Sequence, residues 1–467
     1  MSMAASVTFS GALANAARRN AAPKKRRQRA SRPARALVAR LSLEEESEGR
    51  AGWLSARFSL AHPAAPPPSS PTPSPTTVTA IRAASAAKPA PASSPAGGAY
   101  ALELEVGLDA VRMASTLCEE VQAQLMRQDE TADTKDDRSL VTLADYAAQA
   151  IIAWRIQQEW PDFTMVGEED AEALTEGGEG GAQTLEKITA LVNKTLAKHK
   201  GDAAPTLSST EIVAAINKGG GKGGKGRHWI LDPVDGTLGF VRGDQYAIAL
   251  ALMEDGDLKV GVMGCPNMPK TGEVLEYDSS YTYGFSPSMV TKMLAGESVG
   301  WYKGCIFAAV KGRGCTVEPC DARIKAAPTP VTVSDAFDPV SAKFCEPVMK
   351  ANSSQGFTAS VADNLGIASK PLRVYSQVKY GSVARADADV FMKFPKAGYK
   401  EKIWDHAAGV IIVEEAGGKV TDAGGAPLDW AGGRYLDTLD RGIVATSAAL
   451  HERLMDAVSK SWSSSQL

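Results

Sequence analysis

The segment Trp229-Ile230-Leu231-Asp232-Pro233-Val234-Asp235-Gly236-Thr237 constrains the fold of this chain more than any other stretch. Ile230 and Leu231, at the end of an apolar run, predict the end of a buried strand. Asp232 and Asp235 can turn towards one point around Pro233, and Gly236 lets backbone amides approach a ligand closely. A helix following Thr237 would add a favourable dipole. Carboxylates, a hydroxyl and a glycine in this order suit a metal and a phosphate. A turn closed by an Asx-type cap uses the same residues, so partners elsewhere in the chain have to decide between the two.

With 467 residues, the chain has room for two or three domains and a large core. A formal net charge of −3 gives no reason to expect a nucleic acid polymer as the main partner. No apolar run reaches the length of a membrane span, so no membrane partner is expected. The six cysteines are scattered without a C-x-x-C pair, which argues against zinc and against a secreted disulfide framework. The five histidines are also dispersed. Oxygen-ligand chemistry from Asp and Glu is therefore the better expectation.

Residues 1–40 contain no acidic residue, while Arg18, Arg19, Lys24, Lys25, Arg26, Arg27, Arg29, Arg32, Arg35 and Arg40 sit among Ala and Ser. This composition predicts a transit peptide over about 1–60 and a chloroplast or mitochondrial address. Lys24–Arg29 also fits a nuclear import patch, which leaves nucleus or cytoplasm as the alternative. The Pro/Ala/Ser-rich stretch 61–99 cannot assemble a core and predicts a disordered linker. The expected folded parts are an α+β domain over 100–325, with an insertion at 171–227, an α/β domain over 326–460 and a tail at 461–467.

Apolar spacing predicts helices over Leu102–Arg127 and Tyr146–Trp160, with Thr142 or Asp145 as a possible cap of the second. A short strand, Thr164–Val166, runs into Gly167-Glu168-Glu169-Asp170, which on its own also fits a solvated acidic turn. Within the insertion, a helical stretch spans Leu185–Ala197, and Ser208 with Glu211 has capping-box spacing. The run Gly219–Gly226 resembles a phosphate loop only in composition. It lacks the Ser or Thr after Gly-Lys and fits a flexible connector better. Gln245–Met253 and Leu258–Met263 predict a hairpin closed by Asp255-Gly256, and Cys305–Val310 continues the sheet. A strand at Val331–Val333 is expected to open the second domain. Arg373–Tyr380, Val390–Phe394, Val410–Glu415 and Ile443–Thr446 then read as strands alternating with helices.

A further acidic motif, Lys402-Ile403-Trp404-Asp405-His406-Ala407-Ala408-Gly409, places Asp405 where a helix would start, and alone it also fits an N-cap. Taken in order, Asp145, Gly167-Glu168-Glu169, the Asp232–Thr237 motif and Trp404–Gly409 resemble the signatures of the lithium-sensitive, magnesium-dependent phosphatases related to inositol monophosphatase. Within that superfamily the chain resembles the 3′(2′),5′-bisphosphate nucleotidases of plants and fungi from about Ala101 to Val458. Supporting stretches are Ala144–Gln149, Gly239–Ala247, Gly264-Cys265-Pro266-Asn267, Ser376–Tyr380 and Tyr399–Asp405.

The resemblance implies a layered αβαβα sugar-phosphatase fold of α+β and α/β parts, with a metal site between them. It implies that Glu168, Asp232, Asp235, Asp405 and the carbonyl of Val234 hold two or three Mg²⁺ ions. These ions would acidify the attacking water and neutralise the phosphate. Thr237, oriented by Asp145, corresponds to the water-activating pair, and the amides of Gly236 and Thr237 would cradle the phosphate. Ser376, Lys379 and Lys393 match positions that bind the nucleotide end, Lys393 standing where Arg is usual. Asn352-Ser353 replaces a usual His-Ser, Gln355 replaces another frequent His, and Leu238 stands where Lys commonly follows the threonine.

The implied reaction is hydrolysis of the 3′-phosphate of 3′-phosphoadenosine 5′-phosphate to AMP and phosphate, with phosphoadenosine phosphosulfate as a second substrate. Inhibition by Li⁺ and Na⁺ is implied too. An inositol polyphosphate 1-phosphatase and a catalytically silent nucleotide-binding sensor are the alternatives. The expected partner is a small-molecule nucleotide, and the expected state is a monomer or weak dimer. Plant relatives carry cysteines matching Cys265 and Cys305, which would form a regulatory disulfide or remain as buried, inert thiols.

Overall fold

The computed structural model describes residues 98–128, 135–270, 303–335, 338–350 and 352–464. The expected transit peptide, nearly all of the linker and the last residues of the tail lie outside them. Among the described residues the first helix is α1 (Ala101–Gln128), which pairs with α2 (Lys135–Glu159). α2 begins well before the predicted start because Val141, Leu143 and Ala144 extend its buried stripe. Thr142 and Asp145 therefore lie inside the helix and do not cap it.

β1 (Met165–Gly167) leads into α3 (Glu172–Glu176), α4 (Gly178–Lys200) and α5 (Ser209–Asn217). The predicted capping box is present, with Ser208 and Glu211 satisfying each other's amides. The glycine run then docks on β1, with Gly167 N donating to Gly219 O at 2.8 Å and Gly221 N to Met165 O at 2.9 Å. A Cβ at Gly221 would lie 2.3 Å from the Met165 carbonyl. At this point the run is a close-packed edge of the sheet, neither a phosphate loop nor a free connector.

The chain next forms β2 (Arg227–Asp235), α6 (Thr237–Val241), β3 (Ala247–Glu254), β4 (Asp257–Pro269), β5 (Lys303–Val310), β6 (Cys315–Pro319) and β7 (Thr329–Val331). Asp255 and Gly256, at φ 50° and 86°, close the predicted β3–β4 hairpin as a primed turn requires. These strands make a seven-stranded sheet in the order β1-β2-β3-β4-β5-β6-β7. The strand expected to open the second domain is thus the outer strand of the first sheet, paired to β6.

After β7 come β8 (Phe344–Pro347), α7 (Gln355–Leu365), β9 (Leu372–Val374), α8 (Val378–Ala384), β10 (Val390–Lys393), α9 (Ala407–Glu415), β11 (Gly418–Asp422), β12 (Ile443–Ser447) and α10 (Ala448–Ser464). The second sheet runs β11-β12-β10-β8-β9. Two predicted strands are corrected here. Arg373–Tyr380 divides at Ser376, whose φ of 62° ends the strand, so Lys379 and Tyr380 lie on α8. Val410–Glu415 is helical, because Ala407–Val413 is buried on every side between the two sheets. A helix with no polar face has no helical periodicity to detect, and its Val and Ile content mimics a strand.

Alternate residues explain the layers. Ile248, Leu250 and Leu252 of β3 face the core under α1 and α2, while Ala247, Ala249, Ala251 and Met253 face a second core containing α8 and α9. A third core lies between the second sheet and α7 with α10. The stack is helices, sheet, helices, sheet, helices, the αβαβα arrangement expected. Fully burying Val410, Ile411, Ile412 and Val413 contributes about 1.5–3 kcal/mol each, which anchors the segment carrying Asp405.

Candidate active site and metal centre

β2 pairs with β3 in register as far as Asp232, slips across Pro233 and Val234, and resumes at Asp235. Pro233 has no N–H to give the ladder, so the irregularity falls there and re-aims the flanking carboxylates. Gly236 follows at φ 86°, and a Cβ on it would lie 2.8 Å from Ser376 Cβ. Only glycine allows this approach. Thr237 opens α6, and its Oγ1 faces the Val234 carbonyl at 3.4 Å. Among the described residues no hydrogen bond joins Thr237 to Asp145.

Four segments bring acidic groups together. β1 lies parallel to β2 and releases Glu168 and Glu169 just beyond Gly167. α2 packs on β2 and carries Asp145, while the 3₁₀ turn Ile403–Asp405 packs on β2 and β3. Asp232 is 2 % exposed. Burial pushes its carboxyl well above the usual range, and the charges of Glu168, Asp235, Asp405 and Asp145 push it further. Asp145 is raised by burial and then by Glu169 and Glu168. Burial lifts Asp405 to about 6 against the opposing pull of Lys393 and His406. Asp235 is raised by burial, partly offset by Lys379 and by the Gln377 N–H.

Such buried, mutually repelling carboxylates are relieved either by protonation or by a cation held among them. The Oδ1 atom of Asp232 is buried without a hydrogen-bond partner in the structure, and the cluster offers oxygen donors only. That chemistry fits a hard divalent ion. Among the described residues, Glu401, Asp405 and His406 hold donor atoms within 4.8 Å of one another, whereas no three of Glu168, Asp232, Asp235 and Asp405 meet that closely. Glu401 is already engaged, however, by Lys393 at 2.6 Å and by His406 at 3.0 Å. Despite burial, those two partners bring its pKa down to about 2.

The residues expected to bind the nucleotide end are placed less uniformly. Ser376 lies against Gly236. Lys379 is buried, donates to the carbonyls of Val374 and Ser376, and is lowered by burial to about 8. Lys393 is committed to Glu401. Ser353 Oγ accepts the Phe394 N–H at 2.9 Å, and Asn352 is exposed at a turn. A cleft of about 1350 Å³ is lined by Ser353, Arg373, Phe394, Tyr399 and Glu401 among others, and does not include Asn352.

The model of the inositol monophosphatase family matches residues 101–463. The chain belongs to that family. Its relatives include the 3′,5′-bisphosphate nucleotidase AHL of Arabidopsis thaliana, 48% identical over 78% of this chain and 98% of the relative. A 3′(2′),5′-bisphosphate nucleotidase of Oryza sativa is 42% identical over 78% and 96%. One of Schizosaccharomyces pombe is 38% identical over 76% and 94%. Membership in the inositol monophosphatase family implies a metal-dependent phosphatase.

Several residues that shape this family site were not among the predicted site residues. The Gln377 N–H donates to Asp235 Oδ2 at 2.6 Å, while its side chain spans Trp404 O at 2.8 Å and Gly409 N at 3.1 Å. Lys402 reaches Glu168 Oε1 at 3.0 Å. Glu169 sits beside the cluster and is raised to about 7 by burial, Glu168 and Asp170. Gln149, one helical turn beyond Asp145, donates to Glu169 O at 2.6 Å and Ile216 O at 2.7 Å. Its i+4 spacing from Asp145 was the one signal available for it.

Proposed function

We propose that this chain is a metal-dependent 3′(2′),5′-bisphosphate nucleotidase that removes the 3′-phosphate of 3′-phosphoadenosine 5′-phosphate, giving AMP and phosphate. The observation that carries the reading is the buried carboxylate cluster around Asp232 in a chain 48% identical to a bisphosphate nucleotidase. Glu168, Asp232, Asp235, Asp405 and the Val234 carbonyl would hold two or three Mg²⁺ ions, the cation that oxygen-only donors of this kind prefer. When bound, such ions neutralise phosphate charge and acidify water.

The remaining work falls to the protein. Gly236 and Thr237 present backbone amides to the scissile phosphate, and Ser376 with the ammonium of Lys379 borders the same point. Thr237 Oγ1 orients the attacking water, and Asp145, ionised once a bound cation offsets the neighbouring charges of Glu169 and Glu168, receives its proton through that hydroxyl. Proximity to fixed donors supplies most of the catalysis in such transfers.

Phosphate release by the full chain with Mg²⁺ tests this reading, using adenosine 3′,5′-bisphosphate, inositol 1,4-bisphosphate and inositol monophosphate. Preference for the nucleotide is expected. The inositol substrates are the discriminating comparison because Lys393 is tied to Glu401. Preference for either would overturn the assignment, and no turnover of any would favour a sensor. A chloroplast or mitochondrial address and a monomeric or weakly dimeric state complete the proposal. Import into isolated chloroplasts and mitochondria and sedimentation velocity test them, and retention outside both organelles or a stable higher oligomer would refute them.

A further inference from the structure

Residues 401–403 and 434–436 run side by side, with Ile403 N donating to Arg434 O at 3.1 Å and Leu436 N to Glu401 O at 2.8 Å. From this ladder the Arg434 side chain reaches the edge of the first sheet. Its Nη2 donates to Gly167 O at 2.7 Å, and its Nη1 to Gly221 O at 2.8 Å and Gly219 O at 3.2 Å. The same guanidinium lies over the Trp404 ring, 4.5 Å from the centroid. Gly167 immediately precedes Glu168, and Trp404 immediately precedes Asp405. One side chain therefore grips the backbone before one carboxylate and the ring before another.

Lys402 also spans these two segments, but it does so on the carboxylate of Glu168 itself. A cation bound by Glu168 would compete for that oxygen. Arg434 grips carbonyls, so its hold is independent of what the carboxylate binds. The fork geometry suits the task, since two nitrogens serve three carbonyls while the flat face packs on indole. Gln149 secures the same turn from the helical side, accepting the Glu169 N–H at 3.2 Å.

We infer that Arg434 is a positioning residue that sets the spacing of Glu168 and Asp405, and hence the affinity of the site for its divalent cation. The inference rests on the metal-dependent reading above. Arg434→Met and Arg434→Lys in the full chain test it through Mg²⁺ binding by calorimetry, Mg²⁺ dependence of phosphate release, and hydrogen exchange over residues 166–171. Arg434→Met should weaken Mg²⁺ binding by about 10-fold or more, the usual consequence of removing a group that orients ligands. Exchange over 166–171 should rise, and kcat at saturating Mg²⁺ should change less than the Mg²⁺ requirement. Arg434→Lys should fall between, because an ammonium cannot fork across the carbonyls.

Unchanged Mg²⁺ affinity in Arg434→Met would overturn the inference. So would a loss confined to kcat at saturating Mg²⁺. If Arg434→Met does not fold, wild-type affinity in a folded Arg434→Lys overturns it equally. A wild-type chain that binds Mg²⁺ yet releases no phosphate overturns only the nucleotidase reading, since calorimetry still decides the role of Arg434. A wild-type chain that binds no Mg²⁺ overturns both.

Discussion

Asp235 Oδ2 accepts the backbone N–H of Gln377 at 2.6 Å, joining the end of β2 to the start of α8. One oxygen of the carboxylate is thus held by the protein, which fixes the direction of the other. Asp235→Ala removes both the charge and the anchor, and is expected to lower kcat/KM by more than about 100-fold, beyond the usual cost of an outer-shell change. Asp235→Asn keeps an acceptor for Gln377 but not the charge. It should fold with wild-type thermal stability and still be inactive. Substantial turnover by Asp235→Asn would remove Asp235 from the metal set.

Thr237 Oγ1 points to the Val234 carbonyl at 3.4 Å, and Asp145 is not bonded to it. Catalytic hydrogen bonds commonly tighten only when substrate is in place, so the proposed pairing is a kinetic claim. Asp145→Asn and Thr237→Val should each reduce kcat by about 10²–10⁴ with little change in KM, and the double variant should lose little more than either alone. Thr237→Ser, which retains a hydroxyl, should keep most of the activity. Multiplicative losses in the double variant would show that the two residues act separately.

The layered order came from the family resemblance, while the strands of the first sheet were legible in their apolar runs and turn residues. The apolar run of β3 alternates Ile248, Leu250 and Leu252 with Ala249 and Ala251, and each set faces its own core. Asp232, Asp235, Glu168 and Asp405 were singled out by the order of their motifs along the chain, since each motif alone also fits a turn or a cap. What stayed hidden depends on long-range geometry. Gln377 stands 142 positions from the carboxylate it anchors, and Arg434 stands 267 positions from Gly167. Nothing local marks an amide or a guanidinium as the partner of a distant backbone. Val410–Val413 was misread for a different reason, since total burial erases the pattern that separates helix from strand.

Cys265 and Cys305 face each other across β4 and β5 in register, and both thiols are free and buried. Burial raises both, Cys305 to about 11 even with Arg385 Nη1 at 3.4 Å from its sulfur. The thiolate is the attacking species in disulfide formation, so closure in the folded protein is limited by its scarcity. Its rate should climb about 10-fold per pH unit between about 7 and 9, as read by differential alkylation and mass spectrometry. A rate independent of pH over that range would show that another step, such as local opening, controls access to the pair.

Of the residues proposed to bind substrate, Lys379 carries the clearest pH signature. Burial lowers its ammonium to about 8, with the nearby charge of Asp235 opposing part of that fall. Below that value the lysine is charged and, in the proposed binding role, attracts an anionic substrate. As the pH rises through it, the ammonium becomes a neutral amine and that attraction is lost. Because kcat/KM reports the free enzyme, it should decline above about pH 8, chiefly through KM. Lys379→Met should have a lower kcat/KM at neutral pH and should lack this alkaline limb, when both chains are compared from pH 6.5 to 9.5 at fixed ionic strength and saturating Mg²⁺. An identical limb in Lys379→Met would assign the titration to another group and leave Lys379 as a purely structural donor to Val374 and Ser376.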